Sequence, residues 1–250
     1  MKKKELNNQV SIVICVYNNA STLRNVVERC LGTTLSSMLL VVDDGSTEHN
    51  TEELLKTLPL TLLTHKTNRG KGAALQTALQ YLACNHPQIK WMLTLDADGQ
   101  HFPEDITKFF DAIENTEEDN TLFIGTRNFT SGRGEIPAKS VLGRFLSNFC
   151  IKAETGKKIM DTQSGFRCYP VEHIKNLPCK SPRYAWETEI LVRALWQNTR
   201  IIHIPVQVEY FTKETRISHF KVWKDNLQIA ALHCRLLLEA FLKRKKRQEK

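Results

Sequence analysis

Two carboxylates, Asp96 and Asp98, stand one residue apart at the end of an apolar run, Trp91 to Leu95. In an extended chain an i, i+2 pair points to one side. Carboxylates so placed repel unless a cation sits between them. Mg²⁺ and Mn²⁺ prefer such oxygen ligands and share them with substrate phosphates. Gln100 and His101 follow closely enough to complete a shell. Two solvated aspartates in a turn would carry the same letters; the buried strand in front separates the readings. Asp43 and Asp44 close another apolar run and precede Gly-Ser. They read either as turn caps or as carboxylates accepting from a base or ribose. Lys71 stands between Gly70 and Gly72 at a helix start, where close backbone approach suits a phosphate. The spacing of a Walker A loop is absent.

The elements that position these residues alternate. Val10 to Val16 is a continuous β-branched run, as in a strand buried on both faces. Ser21 is expected to cap the helix that follows. Further strands are expected at Met38–Val42, Leu60–Thr64, Trp91–Leu95 and Thr121–Gly125. Helices are expected at Glu52–Leu58, Gly72–Leu82 and from Pro103 to about Asn115. This order predicts an α/β fold with a mostly parallel sheet and helices on both faces. Ligands in such sheets bind outside the carboxyl ends of the strands. Asn18, Asp43, Asp44, Asp96, Asp98 and Arg127 all fall there. In the second half, residues 126–138 read as a loop and Ala138–Lys152 as a helix. The segment DTQSGFRCYP reads as a turn-rich active segment, with a helix at Glu187–Gln197 and a strand at Ile201–Tyr210. From Trp223 a long helix runs into the basic tail. Its apolar residues recur at helical spacing, which favours packing on the domain over lying in a membrane interface.

Taken together, VSIVICVYNNASTL, LLVVDDGSTEHNT, NRGKGAAL, LTLDADGQHFPEDI, IGTRNF and DTQSGFRCYP resemble the family 2 glycosyltransferases of the GT-A fold. Six strings in the right order make the likeness specific. It covers roughly residues 9–225 and is nearest to the dolichol-phosphate mannosyltransferase and polyprenyl-phosphate glycosyltransferase branch. The resemblance implies a glycosyltransferase domain over 1–225, with 226–250 an amphipathic helix and basic tail. It implies that Tyr17, Asn18, Asp43 and Asp44 line the pocket for the base and ribose of a sugar nucleotide, with Lys71 and Asp96 beside them. Asp96, Asp98 and Gln100 are implied for a divalent metal, Mg²⁺ or Mn²⁺, with Asp98 the direct ligand. Arg127 is implied at the acceptor phosphate, and Arg144, Arg167, Arg216 and His219 at phosphates nearby. The chain departs from the family in carrying Val16 where proline is frequent, and His219 where lysine is frequent. Many relatives also carry C-terminal transmembrane helices, and none is expected here.

The implied reaction is inverting transfer from a GDP- or UDP-sugar to a polyprenyl phosphate or lipid-linked acceptor. Asp98 and Arg127 would serve the leaving diphosphate and the incoming phosphate. A sugar or lipid hydroxyl acceptor would need a general base instead, for which Asp161, Glu187 and Glu189 are the candidates. The two glutamates open a helix, where acidic residues are favoured in any case. A sugar nucleotidyltransferase is the other enzyme class with similar architecture, but VYNNASTL lacks its glycine-rich, arginine-containing loop.

Composition sets the outer bounds. The 250 residues carry a net charge of +8. The last eight residues contribute +5 and Lys2 to Glu5 contribute +2, so the body of the chain is near neutral. A nucleic-acid partner would spread its counter-charge through the fold. Charged ends suit an anionic membrane surface, or are solvated termini. The seven cysteines form no CxxC pair and read as reduced thiols. No apolar stretch is long enough to span a bilayer, and no secretory leader is expected at MKKKELNNQ. A cytoplasmic protein follows, peripheral at the inner membrane face through its basic C-terminal tail.

Overall fold

The computed structural model describes residues 6–33, 37–127, 138–209 and 222–248. Its strands are β1 (Val10–Val16), β2 (Met38–Asp43), β3 (Thr61–Thr64), β4 (Trp91–Asp96), β5 (Thr121–Arg127), β6 (Arg167–Pro170) and β7 (Arg200–Val206). The helices are α1 (Ala20–Gly32), α2 (Thr51–Leu55), α3 (Lys71–Asn85), α4 (Ile106–Glu114), α5 (Ala138–Thr155), α6 (Val171–Ile174), α7 (Ala185–Trp196) and α8 (Val222–Gln248).

The strands form one sheet in the order β3-β2-β1-β4-β6-β5-β7. All neighbours are parallel except at β6, which runs antiparallel to both β4 and β5. The chain works outward from β1 to β3, then returns to place β4 on the other side of β1. That reversal opens a crevice at the carboxyl ends of β1 and β4. The register carries it: Val16 pairs with Asp43, and Cys15 with Asp96. Because β6 is antiparallel, its first residue, Arg167, lies at the same edge as the last residues of its neighbours. The segment leading into β6 therefore crosses the site.

Both sheet faces are buried, which is why the strands are apolar without alternation. Val13, Leu40 and Met92 pack beneath α3 and α7 with Leu75, Trp186 and Leu191. Ile12, Ile14 and Leu93 face the other way, against Leu23 of α1 and Phe109 and Phe110 of α4. Helix α8 lies over α5 and α7 and buries Leu232, Leu236 and Ala240. Four pairings fix it: Arg183 to Asp225, Glu154 to His233 and Glu189 to Arg235, each at 2.7 Å, and Arg193 to Glu239 at 3.3 Å. The packing expected of this helix is the arrangement found.

Several expectations shift. Asn19, not Ser21, occupies the cap position of α1, and it makes no side-chain capping bond there. Pro103–Asp105 is a 3₁₀ turn before α4 begins. The last strand stops at Val206, after which Val208 makes an isolated bridge to His101. The turn-rich segment contains a strand, β6. The expected boundary after residue 225 falls inside the first turn of α8, where Asp225 is already buried. No helix among the described residues is long and apolar enough to cross a membrane. Arg216 and His219 lie outside the described residues, as does most of the loop expected at 126–138.

Candidate active site

The site is built from the carboxyl ends of β1, β2, β4 and β5 and the turn before β6. At the end of β1, Asn18 takes a left-handed backbone conformation, φ 46°, which asparagine tolerates better than most residues. Its side chain accepts from the backbone N–H of Thr47 at 2.8 Å and donates to Glu48 Oε1 at 3.2 Å. Asn18 thus ties the end of β1 to the loop after β2. Tyr17 beside it is half-buried.

Asp43 folds that loop. It accepts from the N–H of Ser46 at 2.9 Å and from the hydroxyl of Thr51. Asp44 reaches the other way, accepting from the N–H groups of Arg69 at 2.9 Å and Gly70 at 2.6 Å. His65 Nδ1 lies 2.7 Å from it, and His65 Nε2 lies 2.8 Å from Thr77. The carboxyl pair that ends β2 therefore organises two loops. Both side chains are buried, and they shape the rim of the crevice from beneath. Gly70 has φ 91°, and a Cβ there would come within 2.5 Å of the Arg183 side chain. The NRGKG string needs its first glycine for both reasons.

Lys71 follows, at the start of α3. Its ammonium lies 2.6 Å from Asp96 Oδ1 and 3.1 Å from Glu187 Oε2. Burial works against the charge on Lys71, but Asp96 and Glu187 outweigh it and hold its pKa well above the ordinary lysine value. Burial likewise opposes ionisation of Asp96, and Lys71, with Arg127 adding to it, overcomes it, leaving that carboxyl below its usual range. The pair fits because Gly165 passes over it. A Cβ on Gly165 would sit 2.4 Å from Asp96 Oδ2 and 2.8 Å from Lys71 Nζ.

Asp98 is half-buried, and its Oδ1 accepts from the Gln100 N–H at 3.0 Å. His101 is buried against Phe166, at 5.4 Å between ring centres. Burial depresses its pKa to about 4, so it stays neutral at physiological pH. Among the described residues no group of three or more His, Cys, Asp or Glu side chains is arranged to hold an ion. Asp98 and Gln100 offer hard oxygen donors at a half-exposed edge, while Asp96 is engaged by Lys71. That donor set fits a cation completed by a bound diphosphate rather than an all-protein cage.

At the end of β5, Arg127 makes a two-pronged pair with Asp161. Nε lies 2.7 Å from Oδ2 and Nη2 lies 2.8 Å from Oδ1. Burial opposes the charge on Asp161, but Arg127 prevails, with Arg144 adding to it, and holds the carboxyl below its ordinary value. Asp161 is fully buried and also accepts from the Gln163 N–H at 3.3 Å. A carboxylate so held is a weak base. It positions Arg127, and the expectation of a proton-accepting role for it is corrected.

Arg167 is also corrected. It is buried, and it donates to the carbonyls of Ser164 at 2.8 Å, Thr162 at 2.6 Å and Glu187 at 2.7 Å. Those bonds lock the turn before β6 onto α7, and no acceptor phosphate meets a guanidinium placed there. Glu189 is structural too. It accepts from the N–H groups of Lys180 and Ser181 and from Arg193 and Arg235, at 2.7 to 2.9 Å. Of the two expected glutamates only Glu187 reaches the site, and it faces Lys71.

No motif in the sequence points to His65, Gly165 or Tyr184, yet all three line the charged cluster. Tyr184 lies with its ring 5.9 Å from the Lys71 ammonium, and burial raises its phenol to about 12. The run of small residues in SGF is the only hint of Gly165. Nothing local marks His65.

Residues 11–177 match the family described as Glycosyl transferase family 2. An uncharacterised protein of Methanocaldococcus jannaschii is 30% identical over 73% of this chain and 77% of its own length. The UDP-N-acetylglucosamine–dolichyl-phosphate N-acetylglucosaminyltransferase of Methanococcus voltae is 26% identical over 80% of this chain and 86% of its own. Among solved structures, glucosyl-3-phosphoglycerate synthase of Mycobacterium tuberculosis, in complex with Mn²⁺, UDP and phosphoglyceric acid, aligns with a TM-score of 0.68 at 20% identity. That alignment covers 95% of this chain and 80% of the synthase. At that identity it shows the shared fold.

Proposed function

We propose that this chain, which belongs to glycosyl transferase family 2, transfers a sugar with inversion from a nucleotide-diphosphate sugar to a prenyl phosphate at the cytoplasmic membrane face. The observation that carries the acceptor class is how the buried carboxylates are used. Asp96 and Glu187 both face Lys71, and Asp161 faces Arg127. A hydroxyl acceptor must lose a proton to a base in the transition state, and each of these three is already engaged by a cation. A phosphate acceptor is already an anion. It needs a cation to position it, and Arg127 stands at the end of β5 with its geometry fixed by Asp161. The dolichyl phosphate in the name of the Methanococcus voltae relative points the same way.

On the donor side, Tyr17, Asn18 and the loops held by Asp43 and Asp44 frame the crevice for base and ribose. Lys71 supplies a fixed positive charge where the diphosphate would lie. A divalent cation, Mg²⁺ or Mn²⁺, held by Asp98 and Gln100 would offset the charge that develops on the leaving diphosphate. Mn²⁺ and UDP in the complex of the Mycobacterium tuberculosis synthase support that assignment. Arg144 adds positive potential on the Arg127 side, beside Asp161.

The test is thermal unfolding with UDP and GDP, each with and without Mn²⁺. A bound ligand raises the midpoint by mass action. One nucleotide is expected to raise it only when metal is present, and Asp98→Ala should abolish the metal-dependent part. Equal shifts without metal, or in Asp98→Ala, would remove the metal from the reading. Sugar transfer to a prenyl phosphate and not to the free prenol, measured by partition of labelled product into organic solvent, is the expected acceptor result. Transfer to the prenol at a similar rate would reinstate the hydroxyl reading.

A further inference from the structure

We propose that the outer faces of α5 and α8 together form a docking surface for an anionic lipid bilayer. The proposal rests on the membrane acceptor just argued only for its purpose; the surface itself is read from geometry. Among the described residues, every large hydrophobic side chain that is exposed lies on α5, on α8 or at Met160 beside α5. On α5, Phe145 is 66% exposed and Phe149 63%, with Leu146 between them. The opposite side of α5, at Ser147, Ile151 and Glu154, is buried.

Helix α8 is apolar on two opposite sides. Leu232, Leu236 and Ala240 point into the fold. Leu227, Cys234, Leu238 and Phe241, at spacings of seven, four and three, share the outer side of a 3.6-residue helix. Leu238 is 67% exposed and Phe241 66%. A helix that buries one face in a soluble fold ordinarily carries polar residues on the other. The two outer stripes adjoin. The Glu154–His233 contact at 2.7 Å sets the helices side by side. Cys150 of α5 and Cys234 of α8 lie near each other across that pair.

Charge identifies the occupant. The acidic side chains described on these helices, Glu154, Asp225 and Glu239, all turn to partners within the fold: His233, Arg183 and Arg193. The exposed rim is basic, with Lys152, Lys157 and Lys158 at and just beyond the end of α5, and Lys243 and Lys245 at the end of α8. Near an anionic bilayer each such residue strengthens partition by about fivefold. A second copy of the chain across a two-fold axis would bring two basic rims into one interface. The surface also reaches the acceptor side of the site. Asn148 of α5 donates to the Met160 carbonyl at 2.9 Å and accepts from the Thr162 N–H at 3.1 Å. That turn holds Asp161, which holds Arg127, and Met160 itself is exposed. A bilayer seated on α5 would thus lie beside the arginine that is to meet a lipid phosphate.

Co-sedimentation of the full chain with phosphatidylcholine vesicles, with and without phosphatidylglycerol, tests this. The chain is expected to bind the anionic vesicles and to release in high salt. Two exposed-face variants, Phe145→Ser with Phe149→Ser, and Leu238→Ser with Phe241→Ser, should each lower the partition coefficient by about tenfold or more. Their thermal midpoints and nucleotide shifts should match the wild type. Wild-type binding that these substitutions leave unchanged would overturn the proposal, as would no binding to anionic vesicles. So would a wild-type dimer in solution that the substitutions split, since the surface would then join two copies. Vesicle binding without any nucleotide shift would count against the donor reading alone, and a metal-dependent nucleotide shift without vesicle binding against this proposal alone.

Discussion

Lys71 holds two carboxylates, Asp96 and Glu187, within 3.1 Å of one ammonium in a largely dry setting. Removing one member of a buried ion pair leaves its partner charged and uncompensated, at a cost of about 3 kcal/mol. Lys71→Met, which keeps the length of the side chain, is therefore expected to lower stability by about 3 kcal/mol, and to weaken nucleotide diphosphate binding by an amount that titration calorimetry reads directly. Asp161 supports a separate, pH-dependent prediction. Its pKa in the folded state lies below the unfolded value, because Arg127 outweighs the cost of burial. A carboxyl depressed in this way contributes stability that is present above its unfolded pKa, about 3.9, and is lost as pH falls through the folded value. Asp161→Asn should destabilise the protein by about 3 kcal/mol at neutral pH. Its urea midpoint should converge on that of the wild type as pH is lowered below about 4. A constant gap over that range would mean that the Arg127 pair is not the source of the difference.

At the scale of elements, the turn before β6 is the piece that joins the two charged clusters. Thr94 of β4 donates to the Gly165 carbonyl at 2.8 Å, Arg167 binds the Thr162 and Ser164 carbonyls, and Gly165 lies against Asp96 and Lys71. Adding one methyl there forces atoms to 2.4 Å, and overpacking of this kind costs about 1–3 kcal/mol. Gly165→Ala is expected to weaken donor binding more than tenfold, with a thermal midpoint only a few degrees lower. A variant with wild-type affinity would show that the turn yields and does not set the Asp96–Lys71 geometry. This element was also the hardest to read from sequence. Strands β1, β2 and β4 announce themselves as unbroken β-branched or apolar runs, because helices cover both of their faces. β6 is four residues long, opens with arginine and ends with proline, so no periodicity marks it. Its antiparallel direction is set by neighbours on either side. The same limit applied to the site. Asp96 and Lys71 are legible from a strand end and flanking glycines, and Arg127 and Asp161 through the family resemblance, whereas the pairing of Lys71 with Glu187 spans more than a hundred positions and exists only once α3 and α7 pack together.

Across the whole molecule, α8 packs as part of the core it covers. A boundary after residue 225 would cut Asp225 from its helix and strip Leu232 and Leu236 from the core under α5 and α7. The folded unit is instead expected to run through α8. Two leucines on that helix separate the two uses of its surface. Leu236 is fully buried, so Leu236→Ala should cost about 3 kcal/mol through lost burial and the cavity left behind. Leu238 faces outward, so Leu238→Ser should change stability by no more than about 0.5 kcal/mol. Urea unfolding of both variants, followed by tryptophan fluorescence, measures the contrast. Equal small effects would mean that α8 is an appendage held loosely against the sheet. Equal large effects would mean that the outer stripe is already covered in solution, by another copy of the chain, before any bilayer is present.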